Sequence, residues 1–150
     1  MDKKGLRGNQ SATVDDKGRL KVPTAFKAII EGQYGSELYL TSLTGESLRI
    51  YPMSVWLEVE ARLEAMPSMH PARRKFLDRT SYFGQLGEFD AQGRVSIPWR
   101  LRDAAGMTGE VDVLGQINFL EVWNHERKAA AIDRDKLTDL DWDALSQFKV

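Results

Sequence analysis

Cysteine is absent from this 150-residue chain, and histidine is nearly so, with only His70 and His125. The first absence excludes disulfides, thiolate metal sites and a cysteine nucleophile, and it is compatible with a reducing compartment. Neither histidine has a second His, an Asp or a Glu at zinc-ligand spacing, and each stands at a helix start. Both read as surface or capping residues. Also missing are a Gly-x-Gly-x-x-Gly fingerprint, a Gly-Lys-Ser/Thr phosphate loop and a Gly-x-Ser-x-Gly elbow. Apolar runs extend only a few residues, against the roughly 20 needed to span a bilayer. The basic N-terminal stretch MDKKGLRGNQ has no apolar signal-peptide core. The expectation is a cytoplasmic protein that touches no membrane, binds no metal or cofactor and is not an enzyme.

What is present describes a folded chain: 42% hydrophobic and 29% charged residues suit a globular protein. The length allows one ordinary domain or two small modules sharing a core. A net charge of −1 and a pI near 6.1 give no global argument for nucleic acid, so any such argument is local. Residues 1–27 carry seven cations against three aspartates, a balance of +4, whereas residues 133–150 carry three cations against five aspartates, a balance of −2.

An internal repeat organises the chain. Residues 14–23 read VDDKGRLKVP and residues 89–98 read FDAQGRVSIP, so Asp, Gly, Arg and Pro recur 75 positions apart with matching apolar positions. The match continues: Phe26-Lys27 meets Leu101-Arg102, and Leu48-Arg49-Ile50-Tyr51 meets Leu120-Glu121-Val122-Trp123 at an offset of 72. Two modules follow, 7–55 and 83–127.

Within the first module, 11–14 and 19–22 suit short strands joined by the Asp-Asp-Lys-Gly turn, with Gly18 free to take positive φ. Pro23 and Pro98 suit the first helical position, opening short helices at 24–30 and 99–105 that end near Gly32 and Gly106. Strand pairs follow at 37–40 with 48–51 and at 111–114 with 119–123, so each module reads β-β-α-β-β. A unit of roughly 45–50 residues buries too little surface to stand alone, which predicts that the modules interlock. Between them, 56–82 reads as a helical hairpin: Met53, Trp56, Leu57, Leu63 and Met66 share one helical face, and Ala72, Phe76, Thr80 and Phe83 share another after Pro71. A third helix is expected over 125–132. The acidic tail 128–150 is expected to be weakly ordered beyond that helix, with Trp142, Leu145 and Phe148 suggesting a docking turn.

Arg19 and Arg94 each begin the strand leaving a turn. For one copy alone, an ion pair with Asp15 or Asp90 explains the arrangement, but exposed ion pairs contribute only about 0–1 kcal/mol, little reason to duplicate so specific a motif. The segments LRGNQSATVDDKGRLKVPTAFK, LRIYPMSVW, FDAQGRVSIPWRLRDAAG and LEVWNHERK together resemble the MraZ branch of the AbrB/SpoVT family of swapped-hairpin transcription factors, in order over about 120 residues.

That resemblance implies a mainly β (α+β) fold, two tandem AbrB/SpoVT-type modules interlocked as a swapped-hairpin, barrel-like domain. It implies a nucleoid-associated regulator, a repressor, that binds short direct repeats in double-stranded promoter DNA of the division and cell wall gene cluster and assembles into a homo-oligomeric ring. The family motif Asp-x-x-x-Arg maps onto Asp15 with Arg19 and Asp90 with Arg94, and Arg7 matches an N-terminal Arg-Gly expected to reach the same face. Guanidinium forks can bond guanine in the major groove while Lys17, Lys21 and Arg7 contact phosphates. Where the first module has Lys17 and Lys21 the second has Gln92 and Ser96, so the first is expected to be the main DNA contact, with Asp90 and Arg94 either contacting DNA or only completing the fold. Arg73, Arg74, Lys75 and Arg79 read as a solvated helix face, with an auxiliary DNA or partner contact as the alternative. The rival to the regulator is a protein-interaction module of antitoxin type on the same fold.

Overall fold

The computed structural model describes residues 5–150, and the Lys3 and Lys4 charges counted above lie outside the described residues. In chain order the elements are β1 (Leu6–Val14), β2 (Arg19–Lys21), α1 (Thr24–Tyr34), β3 (Glu37–Thr41), β4 (Leu48–Pro52), α2 (Met53–Glu64), α3 (Pro71–Tyr82), β5 (Gln85–Glu88), β6 (Arg94–Ser96), α4 (Trp99–Ala104), β7 (Gly109–Ile117), β8 (Leu120–Asn124), α5 (His125–Arg134) and α6 (Asp139–Ser146). All eight strands form one antiparallel sheet in the order β5-β3-β4-β8-β7-β1-β2-β6. The two end strands are consecutive in sequence and joined through a turn in which the Asp90 N–H donates to the Arg94 carbonyl at 2.9 Å, so the sheet curls into a nearly closed barrel.

The modules interlock by exchanging strands. β1 of the first half pairs along its whole length with β7 of the second, β3 pairs with β5, β4 with β8, and β2 with β6. Alternation along the strands turns Leu6, Val14, Leu20, Leu38, Leu40, Leu48 and Ile50 inward against Val95, Val111, Val113, Leu120 and Val122, and every one is at most 3% exposed. Phe26 and Ile30 of α1, with Leu101 and Ala105 of the second half, close the barrel. Neither half could bury these residues alone, since β1, β2, β3 and β4 each take a partner from the other half.

A second cluster holds the helical hairpin. Trp56 stacks on Tyr39 at 4.7 Å between centroids and meets Tyr51 at 5.0 Å and Phe76 at 6.3 Å, while its Nε1 donates to Glu60 at 3.2 Å. Of the residues expected on the buried face, Trp56 is buried but Leu57 is 54% exposed, and Val55 is buried in its place.

Several boundaries differ from expectation for local reasons. β1 begins at Leu6 rather than residue 11, because its full-length ladder with β7 supplies the hydrogen bonds that polar residues 7–11 do not signal by pattern. α1 passes through exposed Gly32 and stops at Gly35, whose φ of 92° a side chain rarely adopts. Pro23 and Pro98 precede the first helical residue with extended ψ of 134° and 130°, one position earlier than predicted. The tail carries a helix where only a docking turn was expected: α6 starts with a reciprocal capping box in which the Asp141 N–H donates to Thr138 Oγ1 and the Thr138 N–H donates to the Asp141 carboxylate. No helix among the described residues is long and apolar enough to cross a membrane.

Candidate nucleic-acid interface

Each repeat motif folds into the same turn. The Gly18 N–H donates to the Asp15 carbonyl at 3.0 Å, the Asp15 N–H donates to the Arg19 carbonyl at 2.9 Å, and the equivalent Asp90 turn repeats both bonds at 3.0 and 2.9 Å. Gly18 and Gly93 take φ of 75° and 76°, the left-handed region that closes the turn. Asp15 Oδ1 accepts from the amides of Lys17 and Arg19, and Oδ2 accepts from Arg19 Nε at 2.8 Å; Asp90 does the same with Gln92 and Arg94, at 2.9 Å from Arg94 Nε. The backbone N–H of the motif arginine, then its side chain, holds each carboxyl below its ordinary value, so both turns carry their ion pair at neutral pH. The aspartates therefore organise the turns and aim the arginines. In both turns Nε is the guanidinium atom that the carboxylate engages.

The two turns are one structure. β2 and β6 pair antiparallel as Arg19 with Ser96, Leu20 with Val95 and Lys21 with Arg94. The Val22 N–H donates to the Gly93 carbonyl at 3.1 Å and the Ile97 N–H to the Gly18 carbonyl at 2.9 Å, which relates the halves by a pseudo-two-fold passing between Leu20 and Val95. Because Leu20 and Val95 point inward, Arg19, Lys21, Arg94 and Ser96 share the outer face of this two-stranded ribbon. Arg19 and Arg94 are diagonal neighbours, about 7–8 Å apart. Lys21 stands directly across from Arg94, so the first module supplies the second module's arginine with the cation its own sequence lacks.

Two further cationic side chains lie against the turns, and one of them, Lys27, is paired with Glu31 at 2.6 Å. Arg102 lies against Gly18, where a side chain would collide with it, and its Nε donates to the Ile97 carbonyl at 3.3 Å. Lys27 lies against Gly93, its Cδ 3.2 Å from where a Cβ would sit. Each turn is thus covered by the cationic residue of the other half's helix. The signal was in the repeat, since Lys27 and Arg102 are themselves 75 positions apart. Lys17 and Lys21 are exposed at the rim, whereas Arg7 is not brought to this face. It lies seven residues up β1 from Val14, about 23 Å along the strand, in register with Gln116.

The histidines sit apart from the ribbon. His70 caps α3, its Nδ1 accepting from the Ala72 N–H at 3.1 Å. His125 opens α5 with Nδ1 2.9 Å from Oδ2 of buried Asp112, whose Oδ1 accepts from Asn9 at 3.2 Å. The sequence spacing of 13 hid this pair, because a β7–β8 hairpin closes it. Bonding to Asp112 raises the pKa of His125 above its ordinary value. Among the described residues no group of three or more His, Cys, Asp or Glu could hold a metal ion.

Comparison with known proteins returns one family model, described as "MraZ protein, putative antitoxin-like", matching residues 6–79 and 85–136. Relatives named "Transcriptional regulator MraZ" include one from Acidobacterium capsulatum, 47% identical over 95% of this chain and 98% of the relative. Another from Koribacter versatilis is 44% identical over 97% and 99%, and one from Herpetosiphon aurantiacus is 40% identical over 84% and 85%.

Proposed function

The chain belongs to the MraZ family, and we propose that it regulates transcription by laying the outer face of the β2–β6 ribbon in the major groove of promoter DNA. The observation that carries this reading is the juxtaposition of Arg19, Lys21 and Arg94 on one face of a two-stranded ribbon, with Lys17 at its rim. The major groove admits such a ribbon, and arginine forks match the O6 and N7 acceptors of guanine. Arg19 and Arg94 read bases through their Nη edges, each aimed by its aspartate. Lys17, Lys21 and Arg102 neutralise phosphates and fix register. The pseudo-two-fold puts the two arginines on opposite sides of the ribbon axis, so one ribbon reads two separate base steps.

The finer parts of the proposal are repression, short direct repeats upstream of the division and cell wall gene cluster, and a ring of identical chains on the nucleoid. They rest on the sequence resemblance. A ring suits direct repeats because several ribbons presented to successive helical turns gain by effective concentration without new contacts. A chain of net charge −1 can bind DNA in this way because Lys17, Arg19, Lys21 and Arg94 are gathered at one ribbon.

An anisotropy titration of the full chain against a labelled duplex of its own upstream region, repeated over a series of salt concentrations, tests the reading. Binding should weaken linearly in log salt, and Lys17→Gln and Lys21→Gln should each flatten the slope by about 0.9 for every phosphate no longer neutralised. Absence of binding at low salt, or a slope unchanged in both variants, contradicts it.

A further inference from the structure

Helix α6 is only lightly packed: Leu145 is half-buried and the rest of the helix is exposed. None of its residues is buried, Leu140 and Trp142 are 80% and 54% exposed, and Phe148 just beyond is 80% exposed. Its only charges are Asp139, Asp141 and Asp143, a balance of −3. Eight residues form a marginal helix in water, so a helix this short with a full capping box and bare aromatic and aliphatic side chains is built to be packed against something.

A surface of opposite character lies elsewhere on the molecule. α3 carries Arg73, Arg74, Lys75 and Arg79 against Asp78, a balance of +3. Beside it Arg100 is held between two exposed rings, its Cζ 4.5 Å from the centroid of Tyr82 and 4.3 Å from that of Trp99, with Nη1 donating to Tyr82 Oη at 2.9 Å. Tyr82 is 57% and Trp99 66% exposed, a large apolar cost to leave in water unless something covers it. A depression of about 540 Å³ lined by Lys75, Asp78, Arg79, Tyr82 and Phe83 adjoins one of about 280 Å³ lined by Tyr82, Phe83, Trp99, Arg100, Asp103 and Ala104, so the patch sets three cations against two aspartates around its rings.

The two surfaces are attached to different strands of the barrel. α5, which leads into α6, packs on β7 and β8 in the middle of the strand order, whereas α3 leads into β5 and α4 leaves β6, the strands at its two ends. We infer that α6 of one copy docks on the Tyr82–Arg100–Trp99 patch of a second copy, its aspartates facing Lys75, Arg79 and Arg100 and its Trp142 covering the exposed rings. A contact between two different surfaces is heterologous, and repeated head to tail it builds a ring when the rotation between copies closes. The inference rests on the oligomeric part of the proposed function and supplies its contact.

Sedimentation velocity of full-length chains tests it. Wild type should be a multiple of the 17.0 kDa chain, while Trp142→Glu/Leu145→Glu and Arg79→Glu/Arg100→Glu should each be monomeric with unchanged circular dichroism. Each double variant keeps one intact half of the contact, so mixed one to one they should form a heterodimer and nothing larger. Variants that retain the wild-type mass, or a mixture that stays monomeric, overturn the inference. The first result leaves the ring reading standing, whereas a monomeric wild type sinks both.

Discussion

Replacing Arg19 and Arg94 singly by alanine should cost DNA affinity about equally, although the sequence of the second turn is poorer in cations. The two guanidiniums are held alike: each Nε donates to its aspartate at 2.8 or 2.9 Å, and their side chains are 32% and 26% exposed. Lys17 flanks the first, Lys21 faces the second across the ribbon, and Arg102 and Lys27 cover the respective turns. A bidentate contact to guanine contributes about 1–3 kcal/mol, which is about a 5- to 140-fold loss of affinity for either variant. Because the arginines sit about 7–8 Å apart and pair with different aspartates, the double variant should lose close to the product of the two. Arg19→Lys separates readout from charge: affinity should fall while the salt slope stays the same, since lysine keeps the charge and loses the fork. The assay is anisotropy on the upstream duplex at fixed salt, with thermal melting to confirm that each variant is folded. If Arg94→Ala binds as wild type while Arg19→Ala does not, the ribbon is not the reading unit and the first turn acts alone.

Further outcomes follow from the packing. Leu20→Ala, at the fully buried centre of the ribbon, should destabilise the chain by about 2–5 kcal/mol in urea denaturation; a loss below 1 kcal/mol would mean that the ribbon is not part of the core. Ile117 holds a φ of 74° while 77% exposed at the tip of the β7–β8 hairpin, so Ile117→Asn should stabilise by about 1 kcal/mol, and a lower melting temperature would show that no strain is stored there. The pKa of His125 is raised in the folded chain, so its bond to Asp112 stabilises fully below the ordinary histidine value and fades as pH rises through the raised one. The melting difference between wild type and His125→Gln should therefore be larger at pH 6 than at pH 9, and a constant gap would contradict this.

The repeat made much of the fold legible, because identical turns at an offset of 75 imply equivalent strands and a shared core. The candidate turn residues Asp15, Arg19, Asp90 and Arg94 were legible for the same reason. Pairing between the halves was not: β2 and β6 have three residues each, too few for a period, and their register is set by long-range bonds such as Val22 to Gly93. Without that register Lys21 counts toward the first turn, whereas in space it serves the second. Arg7 misled in the opposite sense, being near in sequence and a strand's length away in space. The tail's acidity resembled a solvated segment, but the Thr138–Asp141 box is a local signal that the helix forms.

Dimethyl sulfate probing of guanine N7, which opens only into the major groove, tests the ribbon most directly. Wild type should protect guanines in its upstream duplex, Arg19→Ala and Arg94→Ala should each unmask a different subset, and adenine N3 in the minor groove should stay reactive. Protection of adenine N3 with guanine N7 left reactive, or a guanine pattern unchanged in both variants, would contradict the placement of the β2–β6 ribbon in the major groove.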